Sequence, residues 1–262
     1  MMALRTAATG MAAQQLNVEV ISNNIANMNT VGYKKQRAEF EDLLYQDVER
    51  PGSQTSDTGT IAPTGIQIGA GVKAGSVYRI TTQGSPTQTG NSLDVAIKGA
   101  GYFQVLMPDG TNSYTRAGNF SVNATGQLVT SDGYQVLPQI TIPQGSTSIT
   151  ISATGQVQTT AAGSTTPTVV GQMQLASFFN EGGLEALGNN LYQETAASGS
   201  PTVGTPTVNG LGSLMEGYTE ASNVDPVTEI SALIVAQRAY EMNSKVITTA
   251  DQMLSTANQL KQ

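Results

Sequence analysis

The chain contains no cysteine, no histidine and no tryptophan. Without cysteine there is no disulfide, no thiolate nucleophile and no cysteine-ligated metal. That fits a protein that must stay unfolded during transit or that works outside the cytosol, and it fits an ordinary cysteine-free protein nearly as well. Without histidine the commonest general base and the commonest metal ligand are gone. Charge is also scarce: charged residues make up 12% and aromatics 5% of the 262 residues, both low for a globular protein. The net charge of −7 offers no basic field for a phosphate backbone, so nucleic acid is not an expected partner. Basic residues are absent between Arg116 and Arg238. No run is apolar enough to span a membrane, so no membrane insertion is expected. Residues 1–20 carry an arginine but no continuous apolar core, which argues against a Sec signal peptide.

What is present begins with a striped N-terminus. Leu4, Met11, Val18 and Ile25 recur every seventh residue, with Ala7, Ala8, Ile21 and Met28 between them, and predict a helix over 3–28. Gln14, Asn17 and Asn24 mark its polar side. The stretch Asn27-Met28-Asn29-Thr30-Val31-Gly32-Tyr33-Lys34-Lys35 then breaks the pattern. Gly32 accepts a positive φ and is read as the helix stop. Leu43, Leu44, Tyr45 and Val48 suggest a further short helix. Residues 51–65, rich in Pro, Gly, Ser and Thr, read as an extended linker.

From 66 to 215 the period becomes two. Leu93, Val95 and Ile97 alternate, and so do Val169, Met173 and Leu175. Pro108-Asp109-Gly110 and Ser131-Asp132-Gly133 are turn signals between such runs. An antiparallel sandwich or barrel is expected. Residues 133–180 carry no charged side chain. The last segment returns to helix. Asp225 suits the N-cap, Pro226 the first helical position, and Glu229 the positive dipole end. Leu233, Tyr240, Ile247 and Leu254 recur at seven, with Ala236, Asn243, Ala250 and Ala257 in a second line and Ala239, Val246, Met253 and Leu260 widening the stripe. A helix over 226–261 follows. Asn243 is either a buried residue that fixes register or an exposed one.

The fold class expected is mixed α and β: paired coiled-coil-like terminal helices and a central antiparallel all-β domain. The divisions expected are an N-terminal helix (1–32), an extended linker or brace (33–65), the β domain (66–215), and the linker end with the C-terminal helix (216–262).

No chemistry emerges. Lys98-Gly99-Ala100-Gly101 lacks the phosphate-loop pattern and reads as a turn between strands. Asp94, Asp109 and Asp132 stand alone, without a carboxylate dyad or a calcium-loop spacing. No catalytic residue, metal ligand or cofactor is expected, and the chain is not read as an enzyme.

The run from Leu16 through Asn24, Asn27, Asn29, Gly32 and Tyr33 to Lys34 resembles the N-terminal motif of the bacterial flagellar axial (rod and hook) proteins. Ser222–Glu229 with Asn223, Ala236–Lys245 with Gln237, Arg238, Ala239 and Tyr240, and Thr249–Leu254 resemble their C-terminal motif. Leu93–Val105 and Tyr114–Phe120 are similar to the β domain of the hook and neighbouring rod proteins. Arg37–Gln46 with the following linker is similar to the extended segment of the distal-rod branch. Pro226 is an uncommon residue for its motif position. The resemblance covers almost the whole chain and implies a structural subunit that assembles helically into a hollow, torque-transmitting shaft. Paired helices would line the inside and β domains would face outward. It implies residence in the periplasm-spanning rod of the basal body and export by the flagellar type III route without a cleaved signal peptide. Implied partners are its own copies, the proximal rod proteins, the hook protein, the P- and L-ring proteins and the export apparatus. Leu4, Met11, Val18, Ile25, Leu233, Tyr240, Ile247 and Leu254 are the expected assembly seam. Another rod protein of the family or a short hook protein is the alternative. A secreted β-rich adhesin, from a different class, would need no striped termini.

Overall fold

The computed structural model describes residues 2–52, 64–163 and 166–259. The described residues separate into two compact units. Met1–Ala26, Gln36–Tyr78 and Asp225–Gln262 make the first, Asn27–Lys35 and Arg79–Val224 the second.

The first unit holds two helices, α1 (Met2–Ala26) and α2 (Pro226–Gln259). Leu260 lies outside the described residues. Asp225 begins α2 as its sequence suggests. Its carboxylate accepts the Val227 N–H at 3.3 Å and the Thr228 hydroxyl, and its carbonyl accepts the Glu229 N–H at 3.0 Å. α1 ends at Ala26, before Gly32, because Asn27 opens a turn. Its carbonyl accepts the Thr30 N–H at 3.1 Å, and its side chain accepts the Thr30 hydroxyl at 3.1 Å. Gly32 is therefore a turn residue at φ 70°, not a helix stop.

The short helix expected around residues 43–48 is absent. Strand Gln36–Asp42 pairs with Val72–Arg79, and Tyr45–Glu49 pairs antiparallel with Ile66–Gly69. Between them Leu43 donates its N–H to Gly71 at 2.8 Å and Ala70 donates to Leu44 at 3.1 Å. The cross-strand ladder satisfies the backbone that a one-turn helix would leave half unpaired. Of the linker expected over 51–65, residues 53–63, including Ile61 and Pro63, lie outside the described residues. Gly71 lies against α1 at φ 124°, where a Cβ would meet the Thr9 hydroxyl at 2.2 Å. That hydroxyl accepts the Val72 N–H at 3.3 Å.

The second unit is antiparallel β. Its main sheet has nine strands, with Tyr102–Leu106 at a branch point flanked by Asn112–Thr115, Gln135–Leu137 and Leu175–Ser177. The hairpin 102–115 closes over Asp109-Gly110 as the turn signal predicted, with Met107 donating to Thr111 at 2.9 Å. A three-stranded sheet (146–151, 156–161, 168–172) comes from the charge-free region. Val95, Ile97, Phe103, Val105 and Leu175 are fully buried. Phe103 meets Phe120 edge to face at 5.0 Å, a geometry that adds about 0.5–1.5 kcal/mol beyond area burial. A second cluster gathers Tyr102, Tyr114, Phe178, Leu184 and Tyr192.

Candidate functional site

In the first unit the helices pack antiparallel. Asn24 Nδ2 donates to the Glu229 carboxylate at 3.1 Å. Gly10 lies opposite Asn243, where a Cβ would come within 2.9 Å of the amide nitrogen. These two contacts are fourteen residues apart on each helix, so one register describes both. That register sets Asn17 opposite Ala236 and Ala3 opposite Ala250. The buried line of α2 is Glu229, Ala236 and Ala250, with Asn243 half-buried between them. The seam inside one chain is thus built mainly from small and amide side chains, with the buried Glu229 carboxylate at one end. Close approach of the axes follows from the missing side-chain bulk. Asn24 also caps the start of strand Gln36–Asp42: it donates to the Gln36 carbonyl at 2.8 Å and accepts the Gln36 N–H at 2.9 Å.

The residues named as an assembly seam border this line. Leu4, Met11, Val18 and Ile25 are half-buried, as are Leu233 and Ile247, whereas Tyr240 and Leu254 are 42% and 48% exposed. Met242 and Met253 are more exposed still, at 64% and 63%. Gln237 and Arg238 face outward, Arg238 pairing with Glu241 at 2.8 Å, and Ala239 is half-buried. A groove of about 350 Å³ runs between Gln15 and Val18 of α1 and Gln237, Tyr240 and Glu241 of α2.

In the second unit the remaining motif residues surround a buried ion cluster. Glu220 is 1% exposed and receives the Lys34 ammonium at 2.5 Å, Arg116 Nε at 2.9 Å and the Gly84 N–H at 2.9 Å. Lys34 also donates to the Thr82 carbonyl, and Arg116 donates to the carbonyls of Gly99 and Gly101. Burial pushes the Lys34 ammonium below its usual value, and the Glu220 carboxylate opposes the shift. Gly32 donates its N–H to the Glu220 carbonyl at 2.8 Å. Its Cβ position is 2.8 Å from the backbone of Arg116 and Ala117, so a side chain there is excluded twice over, by space and by φ. Tyr33 is buried beside it, while Asn29 is exposed at the tip of the turn. Asn223 accepts the Lys35 N–H at 2.7 Å and donates to the carbonyls of Ile80 and Thr82 at 2.9 and 3.0 Å. Pattern reading found the glycine and the asparagines but not the ion cluster. The one available signal was Arg116, the last basic residue before a long gap in positive charge.

Among the described residues no group of His, Cys, Asp or Glu could hold a metal, and no helix is long and apolar enough to cross a membrane.

Three family models match the chain. Residues 4–34 match the flagella basal body rod protein model, 96–159 the D1 domain of the flagellar hook protein FlgE/F/G, and 215–260 the C-terminal region of the flagellar basal body rod FlgEFG proteins. The motif residues just described fall in or beside these matches, and the chain is a flagellar axial protein of the rod-and-hook class. Full-length relatives narrow it further. The flagellar basal-body rod protein FlgG of Caulobacter vibrioides is 67% identical over all of both chains. That of Borreliella burgdorferi is 48% identical over 100% of this chain and 99% of its own, and that of Bacillus subtilis 41% over 97% and 96%. The chain belongs to the FlgG family, the distal-rod proteins, and is a structural subunit of the flagellar basal-body rod.

Proposed function

We propose that copies of this chain assemble helically into a hollow drive shaft that carries torque from motor to hook, and that the terminal helices form its contacts in coiled-coil fashion. The observation that supports this reading is the apolar surface left on α2. Val235, Met242, Val246 and Met253 are 68%, 64%, 46% and 63% exposed in the single chain, a burden that a solitary helix pair has no reason to carry. Leu4, Met11, Val18, Ile25, Leu233, Tyr240, Ile247 and Leu254 take part as half-covered borders that a neighbour completes. The working parts are the N-terminal segment 1–32 with helix α1, the brace segment 33–65, the mainly β segment 66–215, and the segment 216–262 made of a linker end and helix α2. The chain acts as scaffold, not as enzyme, without cofactor. Proximal rod proteins and the hook protein meet its ends, and the P- and L-ring proteins surround it. Export is by the type III route, and its place is the periplasm-spanning part of the rod.

The test is a cryo-EM map of basal bodies from cells in which this chain is the sole copy. Helical density for α1 and α2 in a continuous tube is expected. A rod in which this chain is absent, or in which α2 faces solvent, would overturn the reading. The segment 33–65 is proposed as a brace that stiffens the shaft, because Pro51 and Pro63 lower its entropy loss on ordering. Deleting 53–63 should give rods that curve more in electron micrographs. Deletion rods as straight as wild type would show a passive linker instead.

A further inference from the structure

Two apolar surfaces of α2 fall on opposite flanks, and a third, Val227, Ile230 and Ile234, points away from the buried line near the start of the helix. At about 100° per residue, Val235, Met242, Val246 and Met253 form one band roughly 40° wide. Gln237, Tyr240 and Glu241, which line the groove with Gln15 and Val18, centre about 180° away. The buried line Glu229, Ala236, Ala250 lies midway between them. One flank is therefore a ridge of unbranched methionines and valines. The other is a cleft with an apolar floor, Val18 and Tyr240, and a polar rim, Gln15, Gln237 and Glu241.

We infer that the methionine ridge of one copy seats in the Val18–Tyr240 groove of the next. The inference rests on the proposed helical assembly and names the contact that propagates it. Three observations favour a second copy as occupant. The groove holds about 350 Å³, room for side chains of methionine size but not for a folded domain. Ridge and groove lie on opposite faces, so the contact joins unlike surfaces head to tail, the kind of contact that gives a filament when the rotation between copies does not close. The helices are also nearly neutral: among the described residues they carry Arg5, Arg238 and Lys245 against Glu19, Glu229, Glu241 and Asp251. Copies carrying −7 each can approach there without the repulsion met elsewhere. Methionine suits such a joint because its flexible thioether fills an irregular cleft.

The cysteine-free chain makes the test direct. Three strains carry Gln237→Cys, Val246→Cys, or both, each as the sole copy, and isolated rods are treated with a short bis-maleimide. The expected result is a ladder of crosslinked chains in the double variant and none in either single variant. A crosslinked dimer in one of the single variants would mean like surfaces meet, and the assignment falls. Intact double-variant rods without a ladder also overturn it, while leaving helical assembly itself standing. Absence of the chain from wild-type rods, read by immunogold labelling, would sink the underlying reading instead. Gln15→Cys with Met253→Cys probes the same joint where the first pair impairs assembly, and the same outcomes apply.

Discussion

Glu220 is the residue on which the second unit's polar interior depends. One carboxylate balances two buried cations, Lys34 and Arg116, and stays in place through three charge-assisted or backbone hydrogen bonds. Glu220→Gln keeps the shape and removes the charge. The two cations are then buried without a counter-ion, and the loss should be about 3–5 kcal/mol. The urea midpoint of the purified chain measures it. Replacing all three groups by apolar residues should cost much less, because the desolvation penalty disappears along with the pairing. The tyrosine cluster supplies a pH signature. Burial, reinforced by the Glu194 carboxylate, raises the Tyr114 phenol to about 12 from 10.0. The folded state then holds the proton more tightly than the unfolded one. This contribution is intact below pH 10 and is lost as pH rises from 10 towards about 12. Lys34, whose folded value is lowered, acts oppositely: its share of stability grows as pH rises towards 10.5. Tyr114→Phe should therefore flatten the alkaline decline of stability above pH 10, read as melting temperature against pH. A slope equal to wild type would show that Tyr114 does not carry it. At this scale sequence reading went only part of the way. Gly32 was legible as a break in the helix pattern, though not as the turn residue it is, and Asn223 was singled out only by the resemblance to the family motif. The Lys34–Glu220–Arg116 cluster joins positions 186 and 104 residues apart, and no local pattern encodes such a meeting.

The helices were the most legible elements, since a 3.6-residue period persists over many turns while end effects touch only a few residues. Their pairing face was harder to read. Periodicity marks the largest apolar residues, but two helices held close together are chosen for small ones, and the buried line runs through Ala236, Asn243 and Ala250. The aliphatic heptad of α2 sits three residues before this line, and that of α1 one residue after the line that faces it. Gly10→Leu tests that line. Asn243 could swing aside for a methyl group, but an isobutyl group on the seam must push the axes apart. The helix-pair melting temperature followed at 222 nm should fall by several degrees, while the near-ultraviolet signal of the tyrosine cluster stays unchanged. An unaltered helix melt would place the seam elsewhere. The strand Tyr45–Glu49 was illegible for the opposite reason: its side chains are mostly exposed, with Tyr45 and Val48 at 58% and 64%, so burial writes no alternation into it, whereas Gln36–Asp42 does alternate between half-buried and exposed residues and went unread.

For the whole molecule, function follows from what one copy leaves uncovered. Ile247→Asp sets a carboxylate beside the seam at a half-buried position, with a desolvation cost repeated at every copy of a polymer. Cells carrying this variant should be non-motile and lack distal rods by electron microscopy. The purified full chain should keep its strand signal in circular dichroism. Normal rods would show that this flank stays wet.

The Gly10–Asn243 and Asn17–Ala236 steps of the helix pair carry a consequence for any tube made from it. Helix axes that meet over glycine and alanine sit nearer the short end of the usual 8–10 Å range. In a cylinder the distance between paired axes becomes wall thickness. A wall made thin in this way leaves a wider bore at a given outer diameter. Bulkier seam residues would then narrow the bore, even if every contact between copies survived.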